Sequence, residues 1–255
     1  VRPEDRFVSG HIPSACRLYR SDYAQTEPIS GVSRSAEELK AMLERCGVRE
    51  DSVVVAYTDG GPEAYRLWWT LQSVARFGIR VLDGGLQQWT ARGHGLAEGA
   101  GTEPAGGELS FPLDAPLGSD WSLAHWVDVQ AFRAATPATL LDTREADEFS
   151  GERVKSSAAR GGRIPGAVLF PWWRIVRDVE SDHRLATPEE LSARLDEVGA
   201  GVGEPVVTYC QSGTRSAGVF FAYYQAGARA GSVVNYDGSW AEYSRLDEPV
   251  EPAEP

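Results

Sequence analysis

The 255-residue chain is 42% hydrophobic and 24% charged, proportions that let each half of a soluble globular protein bury a core. Its formal charge of −12 argues against nucleic acid and anionic membranes as general partners, yet leaves room for a small anion at a local basic patch. No apolar run approaches the roughly 18 residues of a membrane span, and residues 1–20 carry no signal-peptide pattern.

Three cysteines, Cys16, Cys46 and Cys210, cannot all pair within one chain, and no CxxC occurs. His11, His94, His125 and His183 lie far from one another and from the cysteines in sequence. A disulfide scaffold and a zinc site are therefore both poorly supported, and a reducing, cytoplasmic setting is expected.

In chain order, the first half opens with VRPEDRFVSG, followed by GHIPSA at Gly10–Ala15 and Cys16. EEL at Glu37–Leu39 lies in a helical stretch, with Cys46 near its end. The apolar VVAY at Val54–Tyr57 leads into a loop, TDGGPE, and VLDGGLQQW runs to Trp89. Both cysteines of this half read as structural fillers. Residues 97–120 are rich in Gly, Pro and Ala with little periodicity and read as a linker between a domain at 1–96 and one at 121–255.

The second half predicts a helix over Val127–Ala135 and a buried strand in ATLLDTR, Ala138–Arg144. A helix over Thr187–Val198 opens with T-P-E-E, with Pro at its first position and acids in its first turn. EPVVTY is the next strand, Ser216–Gly227 a helix ended by Gly, and SVVNY a further strand, before a Pro/Glu-rich tail. Strands alternating with helices imply parallel crossovers, with ligands at the carboxyl ends of strands.

The two halves repeat one another. GHIPSA returns as GRIPGA at Gly162–Ala167, EEL at Glu189–Leu191 and VVAY as VVTY at Val206–Tyr209. VLDGGLQQW matches VNYDGSW, with Trp89 placed opposite Trp240. VRPEDRFVSG parallels TREADEFSG and sets Arg2 opposite Arg144, without a counterpart for the helix and strand before Arg144. Further residues upstream of Val1 are expected on that ground.

The same register sets Cys210 of YCQSGTRS opposite Thr58. The first loop carries Asp59 and Glu63 and no thiol; the second carries Cys210 and Arg215 and no acid. An acidic loop repels an anion and a basic one attracts it, so the second copy is expected to work and the first to support it. A loop between a parallel strand and a helix turns backbone N–H groups inward as an anion nest, and Gly213 helps it curl. A thiol at a helix N-terminus or beside Arg falls from a pKa of about 8.5 into a range of roughly 3.5–7.5. Cys210 is thus read as a nucleophile; the ordinary alternative is a buried, inert thiol.

YCQSGTRS, GHIPSA with GRIPGA, LLDTR and DGSW together resemble the rhodanese superfamily, its tandem-domain sulfurtransferases above all. The resemblance covers essentially the whole chain. It implies two tandem α/β domains, each a small parallel sheet with helices on both faces, the amino-terminal one without the cysteine. It also implies transfer of a sulfane sulfur from a small anionic donor to a thiophilic acceptor through a Cys210 persulfide, with no metal or other cofactor. By the family pattern the active loop is Cys210, Gln211, Ser212, Gly213, Thr214 and Arg215. Arg144 would meet the substrate's negative charge and Asp142 would brace the loop from below. Ten extra residues, Glu152–Gly161, form an arm in which Arg153, like Arg163 just after it, is a secondary candidate. Trp240 reads as core. A monomer is expected.

CQSGTR lies between two loop patterns of that family. Ser212 and Gly213 are similar to the loop of mercaptopyruvate users, while Arg215 suits thiosulfate, whose second negative charge gains more from it. Thiosulfate is the expected donor. The C-x4-R spacing leaves less room than the C-x5-R of tyrosine phosphatases, which disfavours phosphoryl transfer. A persulfide carrier that hands sulfur to a partner protein would need the same cysteine and stands as a third reading.

Overall fold

A computed structural model of the chain describes residues 4–75, 77–101, 109, 122–123, 125–229 and 231–251. Most of the expected linker, the Arg2 end of the first repeat and the last four residues of the tail lie outside the described residues. The chain divides into two compact units that exchange short segments: the first holds Val1–Ala24, Ser33–Leu117 and Val176–Leu185, the second Gln25–Val32, Gly118–Ile175 and Ala186–Pro255. No helix of the described residues is long and apolar enough to cross a membrane.

The first unit runs through α1 (Glu4–Ser9), α2 (Arg20–Tyr23), α3 (Ala36–Arg45), β1 (Val54–Ala56), α4 (Glu63–Ala75), β2 (Ile79–Val81) and α5 (Gly85–Ala91). Helix α3 starts where Ser35 and Glu38 cap one another: the Ser35 hydroxyl accepts the Glu38 N–H at 3.3 Å and the Glu38 carboxylate accepts the Ser35 N–H at 2.9 Å. Its Leu39, Met42 and Leu43, spaced for one helical face, are buried. Strands β1 and β2 pair in parallel, and α4 buries Leu67, Trp68, Trp69 and Leu71.

Cys16 and Cys46 correct the expectation of two unpaired fillers. Their sulfurs are joined in a disulfide, with Cα atoms 5.5 Å apart. Cys46 is the residue that ends α3, and the fold carries the segment after GHIPSA back to it across 30 positions. Spacing in sequence does not encode that approach. The odd thiol left over is Cys210.

The second unit holds β3 (Ser122–Leu123), α6 (Trp126–Ala135), β4 (Thr139–Asp142), α7 (Ala146–Ser150), β5 (Val168–Leu169), α8 (Pro188–Asp196), β8 (Val206–Tyr209), α9 (Thr214–Gln225), β9 (Val233–Tyr236) and α10 (Ser239–Tyr243). Between β5 and α8 a single 3₁₀ turn (Trp172–Ile175) precedes the antiparallel pair β6 (Val176–Asp178) and β7 (Asp182–Leu185), which belongs to the first unit. The sheet order is β3-β9-β8-β4-β5 and every pairing is parallel. Strands β8 and β9 are buried along their whole length, which is why they read as unbroken apolar runs. Thr187 caps α8 and Pro188 takes its first position, as T-P-E-E predicts. Helix α9 packs on β8 and β9 and begins two residues earlier than its periodicity suggests, because Gly213 at φ +75° turns the chain straight into it.

Candidate active site

The sheet register decides where the chemistry gathers. Asp142 of β4 lies opposite Tyr209 of β8, so Thr143-Arg144 and Cys210 leave neighbouring strands at the same level. The Thr143 amide and hydroxyl both donate to the Tyr209 carbonyl, at 2.9 and 3.1 Å, and tie the two exits together. From there residues 210–215 curl into the first turn of α9.

Cys210 is shielded, at 1% exposure. Burial pushes its thiol up, but the Arg215 cation and the amides of Ser216 and Ser212 lower it by more, helped by the Ser216 hydroxyl, which has no other hydrogen-bond partner. The net displacement is below the ordinary thiol value, toward the thiolate. The Thr214 hydroxyl is likewise buried without a partner. The loop's other groups are held: the carbonyls of Cys210 and Gln211 accept the amides of Trp240 and Ala241 at 3.0 and 2.8 Å, and the Gln211 side chain donates to Ser157 Oγ at 2.8 Å.

Arg215 is not a bare cation. Its guanidinium grips Glu148 of α7 through two bonds of 2.5 and 2.9 Å, with side-chain exposures of 12% and 1%. Lys155 at 3.7 Å and Arg153 at 3.4 Å approach the same carboxylate, and Arg153 also pairs with Asp147. Burial would raise the Glu148 pKa, but its bonds to Arg215 prevail and hold it below the usual carboxylate range. Glu145 also acts on Arg215, so three cations face three carboxylates beside the loop. Glu148 escapes a reading of the sequence because A-D-E-F looks like an ordinary solvated helical turn, and its partner lies 67 positions away. Arg153 does reach this cluster; Arg163 instead pairs with Glu251 and stacks on Phe149.

Arg144 departs from its expected place against the substrate. It is 1% exposed, and its guanidinium is held by Asp142, at 2.5 to 3.0 Å, and by the Gly162 carbonyl at 2.8 Å. It also lies over the rings of Trp240 and Tyr209, 4.6 and 5.8 Å from their centroids. Sequence shows the charge but not its burial. Asp142 holds Arg144 directly, through its backbone amide as well as its guanidinium.

The chain spans most of the length of the curated proteins it matches. A thiosulfate sulfurtransferase of Azotobacter vinelandii is 32% identical over 96% of this chain and 87% of its own. A 3-mercaptopyruvate sulfurtransferase of Escherichia coli is 31% identical over 96% and 85%. A sulfur carrier protein, TtuD, of Thermus thermophilus is 30% identical over 94% and 84%. The rhodanese-like domain family matches twice, at residues 1–92 and 126–246. The chain belongs to the rhodanese-like family. The wild-type structure of EanB shares the fold, with a TM-score of 0.80 at 24% identity, covering 99% of this chain and 62% of that one.

In the first rhodanese-like copy, Thr58 occupies the place of Cys210 and braces its own loop: its hydroxyl accepts the Gly60 amide at 3.3 Å and donates to the Gly61 carbonyl at 3.0 Å. Arg6 pairs with Asp59 at 3.7 Å. The register expected at the end of the repeat also shifts. Leu86, not Trp89, is the counterpart of Trp240, since the Leu86 amide donates to the Thr58 carbonyl at 2.9 Å as Trp240 does to Cys210 at 3.0 Å. The shared tryptophan letter misled the alignment; the backbone bond reveals the equivalence.

Proposed function

We propose that this sulfurtransferase draws its sulfur from thiosulfate, with Cys210 in the 121–255 domain as the nucleophile. The Cys210 thiolate attacks the outer sulfur, the S–S bond of thiosulfate breaks with its electron pair leaving on sulfite, and the enzyme keeps a Cys210 persulfide. A thiophilic acceptor such as cyanide or a thiol then attacks the outer persulfide sulfur and returns the thiolate. The observation that carries this reading is a shielded cysteine at a strand end whose thiol is lowered by Arg215 and by the amides of Ser212 and Ser216.

Gln211, Ser212, Gly213, Thr214 and Arg215 form the substrate loop. Thr214, whose buried hydroxyl lacks a protein partner, is suited to an oxygen of the donor. The Arg215 cation, which acts on the sulfur, favours a dianion over the monoanionic mercaptopyruvate. Arg144 and Asp142 serve as positioning residues beneath the loop. The carrier reading has support in the relative named a sulfur carrier protein; it requires fast single loading with slow turnover on small acceptors.

Intact mass after brief incubation with each donor tests the proposal. One sulfur gained from thiosulfate, lost on adding cyanide and absent in Cys210→Ser, is the expected result. Loading from mercaptopyruvate alone would overturn the donor assignment, and loading from neither would overturn the persulfide mechanism.

A further inference from the structure

Ser239 stands in a conformation that its residue type disfavours. It is fully buried, and its φ of +51° lies in the left-handed region that glycine normally fills. In the first copy the equivalent residue is indeed a glycine, Gly85, at φ +56°. A Cβ there would come within 2.3 Å of the Thr58 carbonyl oxygen. The active copy therefore carries a strained serine where its inactive sibling keeps the relaxed residue, and an observed outlier of this kind calls for a function.

The hydroxyl supplies one. Ser239 Oγ accepts the amides of Cys210 at 3.2 Å and Gly213 at 3.0 Å, and donates to the Tyr236 carbonyl at 2.8 Å. All of its hydrogen-bonding capacity is used, and two of its three bonds fasten the ends of the cysteine turn. In the first copy that task falls to Thr58, the loop's own first residue, whose hydroxyl holds Gly60 and Gly61. A residue that braces its loop with its side chain cannot also present that side chain to a substrate.

We propose that Ser239 is the positioning residue that takes over the brace from the loop's first position, freeing the Cys210 sulfur for nucleophilic attack. Because Ser239 fixes the amides of Cys210 and Gly213, those of Ser212 and Ser216 stay turned toward the sulfur. The inference rests on Cys210 being the nucleophile. The charged groups around the sulfur are Arg215 on α9 and, behind it, Glu145, Asp147 and Glu148 at α7 with Lys155 and Arg153 of the arm. Substitution at Ser239 alters none of them.

The test uses the full chain without reductant, where Cys210 is the free thiol and Cys16 and Cys46 are bridged. The rate of Cys210 alkylation by iodoacetamide is followed against pH for wild type, Ser239→Ala and Ser239→Gly, alongside each melting temperature. Both variants are expected to react about threefold more slowly at neutral pH, with the midpoint of the profile moved up by about one unit. Ser239→Gly should melt above Ser239→Ala, because glycine is at ease at this φ. A wild-type pH profile in Ser239→Gly, or slowing confined to the less stable Ala variant, overturns the proposal. If wild-type Cys210 reacts no faster than an ordinary thiol, the nucleophile reading fails first and takes this inference with it.

Discussion

Replacing Arg215 with alanine separates what this residue does for the fold from what it does for the sulfur. The change strips two short bonds from Glu148, which is 1% exposed and left as a buried carboxylate. Breaking a buried pair typically costs about 3–5 kcal/mol; Lys155 and Arg153, at 3.7 and 3.4 Å, hold the loss near about 3. For a chain of this size that corresponds to a melting point lower by about 6–12 °C. The thiol meanwhile loses its largest lowering influence, and its pKa should rise. That shrinks the thiolate fraction at neutral pH. A more basic sulfur is intrinsically more nucleophilic and recovers part of that loss, so persulfide loading at pH 7 should slow by about tenfold, loss of donor attraction included. Stopped-time mass measurement of loading at pH 7 and pH 9 reads this directly, with the deficit shrinking at the higher pH. Arg215→Ala/Glu148→Gln should regain most of the lost melting temperature, since no uncompensated carboxylate remains, yet load as slowly as the single variant. Loading that recovers together with stability in the double variant would refute the electrostatic reasoning.

Acid stability carries a second signature of the same pair. Glu148 has a folded pKa below its unfolded value of about 4.3, so its contribution is complete above that value and is lost as pH falls through the folded pKa. Between about pH 5 and pH 3 the wild-type melting temperature should therefore fall more steeply than that of Glu148→Gln; parallel curves would contradict the assignment. The Cys16–Cys46 bridge closes a loop of 30 positions, for which chain entropy predicts about 3.5 kcal/mol of stabilisation. A reductant should accordingly lower the melting transition of the first unit, whereas Cys16→Ala/Cys46→Ala should melt at one temperature with or without it.

What the sequence revealed and what it hid divide along local and distant relations. Cys210 was legible because a buried strand, a glycine and a helical period stand next to it in the chain. The duplicated GHIPSA and GRIPGA strings identified the family before any coordinates. Glu148 and Ser239 were hidden because their roles depend on partners 67, 29 and 26 positions away, and because a left-handed φ leaves no mark on composition. The disulfide was hidden for the same reason, and an odd number of cysteines turned out to mean one bridge and one working candidate. Arg144 is a different case: its motif was plain and the family pattern set it against the substrate, while its burial left no mark on the sequence.

The burial of Arg144 with Asp142 ties the D-x-R string to the G-R-I-P turn. A buried ion pair is a poor source of net stability, since apolar residues of similar volume often serve as well. This one instead joins three segments. Asp142 ends β4, the Gly162 carbonyl belongs to the GRIPGA turn, and Trp240, beneath which the guanidinium lies, donates its backbone amide to Cys210 and its indole N–H to the Arg160 carbonyl at 3.0 Å. Arg160 in turn reaches the carbonyls of Ser244, Leu246 and Glu248. The arm absent from the first copy is thereby fastened both to the tryptophan that holds the cysteine turn and to the chain that follows it. A planar donor with five N–H groups can span such a junction, and a lysine cannot.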